Sequence, residues 1–242
     1  MNRFIYFTLG LFAAAHLSGC CALRGTNQQS PNTLSPAEQR AGWRLLFDGR
    51  SLNGWRGYKK PGPPASGWVV ENDSLKLVYK SKPGDLITVE KFGDYQLQWE
   101  WRISPKGNNG IKYLVSEERS APGPEYQMID DATAEQPKHS TASLYDILPP
   151  RADKPVREPG QWNASRLVVR GRHVEHWLNG KKVLEYELES PALKAAIAQS
   201  KFKNVEGFDR KIQGHILLTD HNDEVWYRNI KIRPLTVKSP LN

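Results

Sequence analysis

The sequence predicts an all-β fold in which two antiparallel sheets pack as a sandwich, and three observations carry that expectation. Eleven short runs (WVVE, SLKLV, YQLQWEWRIS, GIKYLVS, EYQMID, SLYDIL, SRLVVRG, HVEHWLNG, KVLEYEL, HILLTD and VWYRNIKI) alternate apolar and polar residues at the period of a strand. Gly, Pro or Asn-Gly turns separate them, and Asn179-Gly180 sits between two runs as a two-residue hairpin would. Successive runs lack the intervening helices that parallel βαβ units need.

The elements follow in chain order. Residues 1–19 carry Arg3 and an apolar run from Phe4 to Ala15, too short to span a bilayer and suited to the core of a signal peptide. Leu17-Ser18-Gly19-Cys20 resembles a bacterial lipobox. The expectation is an exported lipoprotein acylated on Cys20 and held at the membrane, on its periplasmic side or at the cell surface. Residues 20–34 are polar and turn-prone, a tether. From 35 to 237 no repeat or compositional break divides the chain, so one domain is expected. Ser35-Pro36-Ala37-Glu38 has capping-box spacing with Pro at the first helical position, which predicts a short helix ending near Gly42. Ser190-Pro191 opens a second helix over ALKAAIAQS. LPPRADKPVREPG reads as a long exposed loop.

Composition excludes several functions. The only cysteines are Cys20 and Cys21, so the folded part has no disulfide, no thiol nucleophile and no thiolate-bound zinc. The net charge of +8 is spread among acidic residues with no basic stripe, which argues against a nucleic-acid partner. No HExxH, GxSxG, P-loop or GxGxxG pattern occurs.

What remains is a set of polar residues near strand ends: Asn109, Glu125, Gln127, Asp130, Asp131, His139, Tyr145, Trp162, Asn163, His176, Asp220, His221 and Arg228. Asn109 and Asn163 equally suit turns. His176 shares a face with Val174 and Leu178 and reads better as a core histidine. Arg228 shares a face with Trp226, Ile230 and Ile232, so its charge needs a partner such as Glu100 or a cleft. Trp162, beside an Asn, suits stacking on a sugar ring. In GPEYQMIDD, alternation puts Glu125, Gln127 and Ile129 on one face of a strand that a Gly-Pro turn introduces. A standard glycosidase needs two carboxylates; here the second position on that face is an amide.

The motifs LLFDGRSLNGW, GNNGIKYLV, PEYQMIDD, SLYDILPP, GQWNASRLVVRGRHVEHWLNGKKVLEYE and GHILLTDHNDEVWYRNIKIRPL, in order from Gly42 to Leu235, resemble the 3-keto-disaccharide hydrolase family. The resemblance implies a concanavalin-like (LamG-like) jelly-roll sandwich that cleaves 3-keto-glycosides as a 1,2-lyase and hydrates the resulting 3-keto-2-hydroxyglucal. One departure is Thr219, where the family usually has Gln. In such a reaction a ketone at C3 acidifies the C2 proton, one base removes it, and the C1 aglycone leaves. Glu125 is the expected base, His221 or His139 the acid or donor. Gln127 and Asn109 would orient hydroxyls, with Asp130, Tyr145, Trp162, Asn163, His176, Asp220 and Arg228 as further substrate contacts. A divalent metal held by Asp130, Asp131, His139, Asp220 and His221 would be the possible cofactor, although their spacing selects none. The competing function is a non-catalytic carbohydrate-binding or surface-adhesion module, which the same sandwich would also support.

Overall fold

The structure, a computed structural model, describes Met1 and residues 30–235. The leader, Cys20 and residues 236–237 lie outside the described residues. Asn32, near the end of the stretch read as a tether, is buried. Its backbone N–H donates to Asn229 Oδ1 at 2.6 Å, its Oδ1 accepts the Asn229 N–H at 2.8 Å, and its amide donates to the Asp73 carbonyl at 2.7 Å.

Helix α1 (Pro36–Arg40) begins at the expected capping box, in which the Glu38 N–H donates to Ser35 Oγ and the Ser35 N–H to the Glu38 carboxylate. The strands are β1 (Arg44–Leu45), β2 (Trp55–Gly57), β3 (Trp68–Glu71), β4 (Ser74–Leu77), β5 (Leu86–Thr88), β6 (Tyr95–Ile103) and β7 (Asn108–Val115). They continue with β8 (Glu125–Ile129), β9 (Asn163–Arg170), β10 (His173–Leu178), β11 (Lys181–Glu187), β12 (His215–Leu218) and β13 (Val225–Pro234), with α2 (Pro191–Ala198) before β12. All pairings are antiparallel. One sheet has eight strands in the order β11-β10-β9-β6-β13-β4-β3, with β1 also on β13, and the other has five in the order β2-β5-β12-β7-β8. These are the large and small sheets below.

The sheets meet on an aromatic core. In β6 the alternation is unbroken, and Tyr95, Leu97, Trp99, Trp101 and Ile103 all point inward. The Trp99 and Tyr126 rings meet edge to face at 4.9 Å. Two polar tips in this core share a partner: Trp101 Nε1 donates to Ser165 Oγ at 2.9 Å, and the Tyr126 hydroxyl lies 2.9 Å from the same oxygen.

Two expectations are corrected here. SLYDIL is no strand: Asp146 has φ +61°, and Leu144 bridges back to Leu148 as the chain reverses. What drives the reversal is the Asp146 carboxylate, which accepts the Lys201 N–H at 2.7 Å and lies 3.0 Å from His139 Nε2. In β13 the register shifts between Arg228 and Lys231, with Asn229 at φ +53°. A bulge of this kind moves the following residues to the other face, so Ile230 and Ile232 join Tyr227 in the core while Arg228 points outward.

Candidate active site

The outer face of the small sheet holds the arrangement that burial alone does not explain. Tyr126 and Met128 of β8 enter the core, so Glu125 and Gln127 must point away from it. Both are nonetheless buried, with only 4% and 1% of their surfaces exposed. Residues 142–145 run along the free edge of β8: Tyr145 N–H donates to the Glu125 carbonyl, Gln127 N–H to Ser143, and Ala142 N–H to Gln127. On the other side Gly110 faces Gln127 and Lys112 faces Glu125 across the β7–β8 ladder. A Cβ on Gly110 would lie 2.1 Å from Glu125 Oε1, so the carboxylate occupies space that any other residue would fill.

Glu125 has charged neighbours but no close donor. Lys112 Nζ lies 3.8 Å from Oε2 and His221 Nε2 lies 4.0 Å from Oε1. Oε1 of Glu125 and Oε1 of Gln127 are buried acceptors without a hydrogen bond among the described residues. Leaving such a group unpaired costs about 1–3 kcal/mol, and the two stand side by side on one strand face. Around them, Tyr145 carries the Lys201 ammonium over its ring at 4.2 Å. Burial raises the Tyr145 hydroxyl above its ordinary pKa and lowers that of Lys201, which is also pushed down by Lys112. Asp85, at the entry to β5, is raised above the usual carboxylate range chiefly by burial, with Lys112 and His221 pulling the other way.

The other residues singled out in the sequence are used elsewhere. Asn109 is fully buried: its amide donates to the Thr219 carbonyl at 2.8 Å, and its Oδ1 accepts the Gly110 N–H and the Tyr227 hydroxyl. Asp130 caps a short turn, accepting the N–H groups of Ala132 and Lys106. Asp131 accepts the Thr141 N–H and pairs with Lys154 at 2.6 Å. Asn163 Oδ1 receives the Arg157 N–H at 3.0 Å and the Asn179 amide at 2.8 Å. His176 belongs to the core, between the Tyr113 hydroxyl at 2.8 Å and the Ala142 carbonyl at 3.0 Å, and burial pushes its pKa down to about 4. Arg228 pairs with Glu100 at 2.7 Å and lies 4.0 Å from the centre of the Trp162 ring, both on the outer face of the large sheet. Asp220 fixes a loop: its carboxylate accepts the Gly84 and Asn222 N–H groups, while its own N–H donates to Asp85. His139 stands behind Tyr145, ring centres 5.4 Å apart, with Nε2 on Asp146.

Of the five suggested metal ligands, four therefore spend their ligand atoms on structure, and His221 alone reaches Glu125. Among the described residues, only His173, Glu175 and Glu185 bring three possible ligand atoms within 4.8 Å, and they lie on β10 and β11. A cavity of about 240 Å³ opens on the large sheet beside Ala164, Arg166 and Trp177, but its one carboxylate, Glu100, is held by Arg228. Asp85, Lys112 and Lys201 escaped the sequence reading because no local pattern links them. The strand order β5-β12-β7-β8 makes Asp85 and Lys112 neighbours, and the segment after α2 brings Lys201 over Tyr145.

A two-sheet sandwich with a buried, unpaired carboxylate on an outer face defines a glycoside-cleaving enzyme when set beside its relatives. Residues 42–233 match the model of the 3-keto-alpha-glucoside-1,2-lyase-like domain. The chain belongs to that family. It is 33% identical over 234 residues to a 3-keto-disaccharide hydrolase of Bacteroides thetaiotaomicron, covering 80% of this chain and 79% of the relative. The crystal structure of a candidate glycosyl hydrolase from Parabacteroides distasonis is 32% identical, with TM-score 0.75, over 86% of this chain and 100% of that one. A second from the same organism, 24% identical with TM-score 0.65, shares the fold, covering 80% and 99%. The sandwich is thus of the concanavalin-like jelly-roll kind.

Proposed function

We propose that the protein cleaves 3-keto-glycosides by elimination across C1 and C2 and then hydrates the 3-keto-2-hydroxyglucal, giving net hydrolysis. The observation that carries this reading is the pair of buried acceptors, Glu125 Oε1 and Gln127 Oε1, which face one space without a donor. A sugar ring supplies what that space lacks, a hydroxyl for Gln127 and an acidic C2–H for Glu125. Glu125 is the base. Lys112 keeps a cation beside it and, with His221, offers charge and a proton to the enolate oxygen, a role worth about 2.7–4 kcal/mol per donor in other enzymes. Tyr145 and Lys201 wall the opening.

A non-catalytic module would have no reason to leave a carboxylate buried and unpaired. The test is incubation with methyl 3-keto-glucoside and 3-keto-trehalose, followed by NMR. The expected result is 3-keto-2-hydroxyglucal and free 3-keto sugar, with unoxidised methyl glucoside untouched. Equal cleavage of the unoxidised glycoside, or binding without turnover, would overturn it.

Glu125 and His221, whose ligand atoms lie 4.0 Å apart, are the residues that would hold a divalent cation, which would supply further charge to the enolate. Activity that survives exhaustive chelation, with no metal in the protein, excludes it. We also propose, from Leu17-Ser18-Gly19-Cys20, a mature chain acylated on Cys20. Cys20→Ala would then release the protein from the membrane fraction, and an unmodified Cys20 in mass spectra of the mature chain would contradict it.

A further inference from the structure

The elimination needs an acid for the departing oxygen as well as a base, and we infer that Asp85 is that acid. The inference rests on the reading of Glu125 as the base. Leu86 pairs with Leu218, and Leu218 with Ile111. One residue further along each strand, Asp85, Thr219 and Gly110 form the next cross-strand row, continued by Gln127, the partner of Gly110. Thr219 N–H donates to the Gly110 carbonyl at 3.1 Å within this row. Ile87 and Leu217 belong to a small cluster outside the main core. Asp85 and Thr219, two residues away on the same strands, therefore share the outer face with Gly110, Lys112 and Glu125.

The row has one acid-bearing wall at each end and a low floor between. At about 4.8 Å per strand, the backbone of Asp85 stands about 10 Å from that of Gly110, over which the Glu125 carboxylate lies. Between their backbones lie Thr219, whose hydroxyl turns down onto the Gly110 carbonyl at 3.3 Å, and Gly110 itself, and the Lys112 and His221 side chains stand near both carboxyl groups. A sugar ring placed over this row would set C2–H toward Glu125 and the C1 oxygen toward Asp85.

Backbone contacts fix the Asp85 carboxyl group in place. Its Oδ1 accepts the Asp220 N–H at 2.8 Å, the Gly84 N–H returns a bond to Asp220 Oδ2 at 2.9 Å, and Asp85 Oδ2 makes no hydrogen bond among the described residues. The groups facing it are Lys112, His221, Glu125 and Tyr58. Burial, its largest influence, favours the neutral form that the step requires, against the Asp220 N–H, Lys112 and His221, which favour the anion.

The proton balance closes. Glu125 takes the C2 proton, the C1–O bond breaks with its electron pair, and the leaving oxygen takes the Asp85 proton. Water then bonds to C1 and returns a proton to Asp85, while Glu125 gives its proton back to C2. One water is consumed and both carboxyl groups are restored.

The test compares Asp85→Asn with wild type on a methyl and a 4-nitrophenyl 3-keto-glucoside, because nitrophenolate leaves without protonation. We expect Asp85→Asn to keep C2 exchange and to cleave the nitrophenyl substrate within about threefold of wild type. Cleavage of the methyl substrate should fall by about 10²–10⁴-fold, the range of general acid catalysis. Equal losses on both aglycones, or no loss on the methyl substrate, would overturn the assignment. If the variant misfolds, the wild-type pH profile decides instead: kcat/KM must fall at alkaline pH for the methyl substrate and not for the nitrophenyl one, and superimposable profiles would overturn it. Wild type that neither exchanges C2–H nor cleaves either substrate would defeat the base assignment as well.

Discussion

On the outer face of the large sheet, Arg228 meets Glu100 at 2.7 Å, Lys76 meets Glu224 at 2.9 Å, and Arg166 stacks 3.6 Å above Trp177. On the outer face of the small sheet, Glu125 has Lys112 at 3.8 Å, His221 at 4.0 Å and no donor on Oε1, although it is the more deeply buried carboxylate. The same chemistry is thus neutralised around Glu100 and held open around Glu125, while Arg56, elsewhere on the small sheet, also pairs with Glu117, at 2.7 Å. Charges that touch their partners stabilise and do little else; a charge kept just out of contact, above a glycine, is available to a substrate. Gly110 is what makes the second arrangement possible.

Exchanging the roles of the two faces should break the comparison in opposite senses. Glu125→Gln should lower kcat/KM on 3-keto-glycosides by about 10²–10⁴-fold and leave the melting temperature unchanged or raised, since it removes a buried charge that has no close partner. Glu100→Gln on the large sheet should leave kcat/KM unchanged and cost stability by about 1 kcal/mol at most, because its pair with Arg228 is partly solvated. Parallel thermal melts and kinetics of the two variants check both. Gly110→Ala sharpens the point: the added methyl must displace the Glu125 carboxylate, so activity should drop by about 10²-fold or more, as misplacement of a reacting group does, in a protein that still folds.

A smaller effect separates the core histidine from the site. His176 is pushed down to about 4 from an ordinary 6.5 by burial, so the folded state resists its protonation. Between these values the unfolded chain binds more protons, and stability must fall as pH drops from 6.5 toward 4, by about 3 kcal/mol in all. Denaturant melts across that range should show the slope, and His176→Gln should remove it while leaving a less stable protein. A slope unaffected by the substitution would place its origin elsewhere.

How much of this was legible depended on whether the information was local. The β6 alternation, the Ser35 and Ser190 caps and the Asn179-Gly180 hairpin, with φ values of +45° and +87°, rest on neighbouring residues and read directly. Glu125 and Gln127 were readable as one strand face for the same reason. The Asn229 bulge was not, since a single residue in the left-handed region inverts the pattern that alternation extrapolates. Nor was the isolation of Arg228 and Trp162 from Glu125, because which sheet a strand joins is decided by pairing between distant segments. Asn109, Asn163 and Asp220 each have a partner from another segment (Thr219, Asn179 and Gly84), and a sequence shows no difference between such a residue and one that waits for a ligand.

The central claim is that Glu125 is held unpaired in order to take the C2 proton. Its most direct measurement is deuterium incorporation at C2 of a 3-keto-glucoside incubated in heavy water, followed by NMR with wild type and Glu125→Gln side by side. Rapid labelling by wild type, with folded Glu125→Gln reduced to the background rate, is the predicted result. Equal labelling by the two proteins would contradict it and move the base to another residue, His221 first.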